Sequence, residues 1–94
     1  MVLAQPAAAD EAGGRPSCDV QAEVAERVMR HRQQFNDLES TWRMAGLIRN
    51  LELSRVAQRL VAEAYKRPRQ AGDEERERVT NEFSEEVRDA CKTG

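Results

Sequence analysis

Two stretches decide the fold: Ser17 to Met29, SCDVQAEVAERVM, and Asn81 to Cys91, NEFSEEVRDAC. Each carries one of the chain's 2 cysteines at its outer edge, so Cys18 opens the first helical pattern and Cys91 closes the last. No third cysteine competes for either. If the two are joined, the helices between them form one closed loop. Disulfides persist in oxidising compartments, so the same bond would give the chain an extracytoplasmic address. In the chain-entropy picture so long a loop is worth about 4 kcal/mol, comparable to the whole stability margin of a small domain.

Length and composition limit what that loop contains. A chain of 94 residues makes one domain and buries only about 60% of its unfolded surface, so a covalent staple matters. Charged residues are 34% and aromatics 4% of the chain, with a mean hydropathy of −0.79. That is the profile of amphipathic helices with solvated outer faces. The net charge of −2 offers no global field for nucleic acid or anionic lipid. No apolar run reaches the length of a membrane span, and there is no internal repeat.

Apolar spacing sets out the helices. After Pro16, Ser17 and Asp19 are both good N-caps. Val20, Val24, Val28 and Met29, with Ala25 beside them and Phe35 further on, trace an i, i+4 stripe. Asn36-Asp37 ends that helix and caps a second, over Leu38 to Arg49, which places Leu38, Trp42, Ala45 and Ile48 on one face despite Gly46. A break near Asn50, with Ser54 as a cap, leads into a third helix bearing Leu53, Val56, Ala57, Leu60, Ala64 and Tyr65. Pro68 and Gly72 end it. Asp73 caps a fourth helix, with Glu74 and Glu75 in its first turn and Val79, Phe83, Val87, Ala90 and Cys91 along its stripe.

The cysteine pair argues for the break near Asn50. Short connections make successive helices antiparallel, so only an even number returns the chain to the end where it began. An unbroken helix from residue 37 to 66 would be about 45 Å long, against about 25 Å for its neighbours. The expectation is an all-α fold: a small antiparallel four-helix domain over residues 17–92, closed by one disulfide from the start of the first helix to the end of the last.

Residues 1–16 read as a disordered arm or as the remnant of an export signal. The opening MVLAQPAAAD is uncharged before Asp10, and Ala7-Ala8-Ala9 suits a signal-peptidase cut. It lacks the basic front and the long apolar stretch of a full signal peptide. Arg15-Pro16-Ser17 ahead of Cys18 does not suit a lipid-modified cysteine.

Three stretches, VMRHRQ (Val28 to Gln33), EAYKRPR (Glu63 to Arg69) and NEFSEEVRDAC, carry a likeness. With Cys18 in front, the chain resembles small, uncharacterised two-cysteine helical proteins of Gram-negative bacteria and their phages. The likeness covers roughly residues 18 to 91, without the part between Phe35 and Leu53. It implies an exported, disulfide-closed helical protein and implies no activity.

No constellation for catalysis stands out. His31 is the only histidine, flanked by Arg30 and Arg32 at the edge of the stripe, and a zinc site or a nucleophilic triad needs more. There is no Gly-rich phosphate loop. These features point to a non-enzymatic protein without cofactors. Tyr65 to Arg69, YKRPR, is either a lid with dipole-compensating cations or, with Arg30 and Arg32, a basic tip for an acidic partner. Trp42 either packs in the core or anchors a partner or a homodimer seam, since Trp42, Met44 and Leu47 cannot all share one face with Leu38, Ala45 and Ile48.

Two functions follow. The first is an exported module that works by protein–protein interaction, of inhibitor, immunity or chaperone type, with Trp42, Met44, Arg67 and Arg69 as candidate partner-binding residues. The second is a cytosolic helix-turn-helix DNA binder using Met44 to Leu60, with Ser54, Arg55, Gln58 and Arg59 on a recognition helix. The negative charge and the terminal cysteine pair weigh against the second.

Overall fold

In the computed structural model the described residues are 15–35 and 37–93, and they form four helices: α1 (Cys18–Gln34), α2 (Leu38–Gly46), α3 (Leu51–Ala64) and α4 (Asp73–Thr93). Residues 1–14, with most of the expected arm and its Ala7-Ala8-Ala9, and Asn36 lie outside the described residues. Cys18 and Cys91 are disulfide-bonded, with their Cα atoms 5.5 Å apart. The first and last helices are therefore tied at one pole, as the even helix count requires.

Side-chain caps set the helix starts. Ser17 Oγ accepts from Val20 N at 3.1 Å, and Asp37 Oδ1 accepts from Ser40 N at 3.2 Å. Asp19 is left free to meet Arg88 of α4 at 3.2 Å, beside the disulfide. The break between α2 and α3 is wider than the spacing suggests, with α2 ending at Gly46 rather than Arg49. Asn50, not Ser54, caps α3, accepting from Leu53 N at 2.9 Å. Ser54 lies a turn further in and is buried, donating to the Ala45 carbonyl at 2.9 Å. At α4, the Gly72 carbonyl takes the first helical bond, from Arg76 N at 3.0 Å, so Asp73 sits inside the first turn rather than at the cap.

The helices pack unequally. The α1–α4 interface is the most extensive, α3 packs on both α1 and α2, and α1 and α2 scarcely touch. The core joins Ala25, Val28 and Met29 of α1, Ala45 of α2, a run of α3 from Val56 to Ala64, and Phe83 of α4. It is rich in alanine, which allows close approach. Ser84 of α4 donates to the Ala22 carbonyl of α1 at 2.9 Å.

The expected stripe of α1 is only partly its core face: Ala25, Val28 and Met29 are in the core, while its other members are not buried. Ala22, Ala25 and Met29 are fully buried, Val20 and Val24 are half-buried, and Phe35 is exposed. Helix α1 is shared between α4 and α3, so its buried arc is centred on the small residues that face both. The arc includes Gln33, 1% exposed. Its amide donates to the Pro68 carbonyl at 3.2 Å and accepts from Gln70 N at 2.7 Å, tying the α3–α4 connection to α1.

Candidate binding surface

Helix α2 turns little of itself inward. Only Thr41 and Ala45 of it are buried. Trp42 is 44% exposed and Met44 51%, and just beyond the helix Leu47 reaches 77% and Leu51 61%. Leu38, expected on one face with Trp42, Ala45 and Ile48, is also exposed. The reason is geometric: a short helix resting on one neighbour buries one narrow strip. Here that strip is Thr41 and Ala45, and the larger apolar residues flank it.

Beside α2 runs a groove of about 520 Å³, walled by α1 and α2 and floored by α3. Val20, Val24 and Val28 supply one wall, Met44 and Ile48 the other, and Leu53, Ala57 and Val61 the floor. The half-buried valines of the α1 stripe therefore face this groove. With α2 antiparallel to α1 and α3, Val20, Ile48 and Leu53 mark the end nearer the disulfide, and His31, Thr41 and Val61 the other.

That far end is closed by hydrogen bonds. Thr41 Oγ1 lies 2.9 Å from His31 Nδ1, 2.7 Å from the Tyr65 hydroxyl and 3.1 Å from the Asp37 carbonyl. His31 stacks on Phe35 at 4.6 Å between ring centroids. One buried hydroxyl thus ties α1, α2 and the end of α3 together. A lone threonine within an apolar helix gives no sequence signal for this role.

The residues of the expected basic tip are brought to one pole, where they make internal contacts. Arg67 pairs with Glu86 at 2.6 Å and lies over the Phe83 ring at 4.9 Å. Arg69 donates to the carbonyls of Gln33 and Gln34 at 3.1 and 3.3 Å, satisfying the C-terminus of α1. Arg32 donates to the Arg67 carbonyl at 2.9 Å and covers Tyr65. Arg30 pairs with Glu26 at 3.0 Å and Glu77 at 3.1 Å. The hydrogen bond it donates to Glu26, helped by Glu77, holds its pKa above the ordinary arginine value despite some desolvation.

Of the residues nominated for DNA contact, Arg55 and Arg59 are exposed. Ser54 is buried against α2, and Gln58 Nε2 donates to the Trp42 carbonyl at 3.4 Å. Among the described residues, no group of three or more His, Cys, Asp or Glu side chains could hold a metal ion, and no cysteine is free. No described helix is long and apolar enough to cross a membrane.

The fold and surface define a disulfide-closed, all-α four-helix domain with an exposed apolar helix. No family model, curated protein or solved structure matches the chain.

Proposed function

We propose that this is an exported protein that works by binding another protein, without turnover, in an oxidising compartment. The observation that carries this reading is the exposure of Trp42 and Met44 on α2, Leu47 in the turn after it and Leu51 at the start of α3. Clustered large apolar side chains on a small domain mark an interaction surface more often than chance, and tryptophan is over-represented among the residues that dominate binding energy. A rigid, stapled frame suits such a surface, because little ordering entropy remains to be lost on association. The disulfide supports the compartment, since such bonds are rare where thiols are kept reduced. Inhibitor, immunity and chaperone roles all fit this profile.

The test is capture from a native envelope fraction by the oxidised protein, compared with Trp42→Ala/Leu47→Asp. We expect a saturable partner that the double variant fails to retain. Equal capture by the variant, or no partner for either, would contradict the reading.

A second reading, DNA binding through residues 44–60, has the α2–turn–α3 geometry and the exposed Arg55 and Arg59 in its favour. It requires binding to duplex DNA that weakens steeply with salt. Ser54 and Gln58, half of its contact set, are bonded to α2 instead.

A further inference from the structure

We infer that the groove between α1 and α2 receives a short amphipathic α-helix of a partner protein, about three turns long, with an acidic residue at the end that meets Arg49. The inference rests on the protein-binding reading above and names the partner's chemistry.

The length comes from the wall. Val20 and His31 mark its two ends, and at ~1.5 Å per residue the span is about 16 Å. The shape comes from the packing, since α1 and α2 both rest on α3 yet leave a trough between them. A helix laid there would pack on one side of α1 as α4 packs on the other. Val20 and Val24 stand at i and i+4 on the α1 wall, opposite Met44 of α2 and Ile48 in the turn that follows it. That arrangement is what helix-in-groove recognition uses, apolar anchors at i, i+3, i+4 and i+7 entering between ridges.

The charge at the end comes from the rim. Glu23, Glu39 and Glu52 are each paired already, with Arg27 at 3.7 Å, Arg43 at 3.3 Å and Arg55 at 3.8 Å. Arg49, next in the chain to the groove-lining Ile48, is exposed and makes no ion pair among the described residues. The uncompensated charge at that end is therefore positive. A second copy of the chain fits poorly. Its long amphipathic helix, α4, already spends Phe83 in its own core.

The probe is a phage-displayed library of helical peptides, about 14 residues long, with apolar residues fixed at i, i+4, i+7 and i+11 and the rest randomised. It is selected on the oxidised full-length protein. We expect enriched peptides to carry Asp or Glu at one end and to shift the methyl resonances of Val20, Val24, Met44 and Leu53. Val24→Glu should weaken them about tenfold or more, because it puts a charged group on the apolar wall that the peptide's anchors must cover. Arg49→Glu alters an exposed side chain and leaves the fold alone, and selection on it should switch the peptide end from acidic to basic. Failure to enrich helical binders, binders that map to another face, or unchanged acidic ends on Arg49→Glu would overturn the inference. Should Trp42→Ala/Leu47→Asp abolish capture of the native partner while Val24→Glu leaves it intact, the groove assignment falls and the protein-binding reading stands.

Discussion

Helices α1 and α4 form one kind of structure and α2 another. The α1–α4 pair is long, covalently closed, packed around Met29 and Phe83, and laced across its seam by Arg88–Asp19 and Arg30–Glu77. Helix α2 has 9 residues, 2 of them buried, and side-chain hydrogen bonds do much of the work of holding it in place. Of the core residues, α1, α3 and α4 supply all but Ala45, and the exposed large apolar side chains fall between Phe35 and Leu51, on α2 and to either side of it. The difference separates what keeps the protein folded from what we propose it binds with.

Substitutions at four places would break or sharpen that contrast. Cys18→Ser should have the largest effect, costing about 4 kcal/mol and lowering the melting temperature severely. A thermal melt followed by circular dichroism checks this, and an unchanged curve would deny the staple its role. Phe83→Ala should cost about 3–4 kcal/mol, since the ring is buried and its lid, Arg67, would be left over a cavity. Chemical denaturation reads that loss as a lower midpoint. Thr41→Val should cost about 1 kcal/mol by removing the partner of His31 Nδ1 and leaving the Tyr65 hydroxyl only its longer bonds to the Phe35 and Asp37 carbonyls, at 3.4 Å each. Its signature is faster amide exchange in α2 while α1 and α4 stay protected. Leu47→Asp should change stability by less than about 0.5 kcal/mol, because the side chain is already in water. It should nevertheless impair partner capture, and a stability loss as large as that of Phe83→Ala would place Leu47 in the core instead.

The frame was legible in the sequence and the surface was only half legible. Two cysteines at the outer ends of helical patterns dictate an even helix count, and caps and breakers place the helices to within a few residues. Ala25, Val28 and Met29 of the expected α1 stripe lie in the core, and the differences are at its edges, with Ala22 buried and Val20 half-buried, because a valine outweighs an alanine on any hydrophobic scale. A helix shared by two neighbours selects for small residues at close approach, as at Ala22 and Ala25. Trp42 remained ambiguous because a nine-residue helix can bury either edge of its apolar arc, and the choice is made by Ser54 and Gln58 bonding to its backbone carbonyls. The inward roles of Arg67 and Arg69 depend on contacts to residues far away in the chain, Glu86 and the end of α1. Local patterning carries no trace of such contacts.

The contrast between frame and α2 is tested most directly by residue-resolved amide exchange on the oxidised protein under native conditions. The account predicts the slowest exchange in α1 and α4, around Met29 and Phe83, and the fastest helical exchange in α2, with reduction of Cys18–Cys91 erasing the gap. Protection in α2 equal to that of α1 and α4, or a pattern indifferent to reduction, would contradict it.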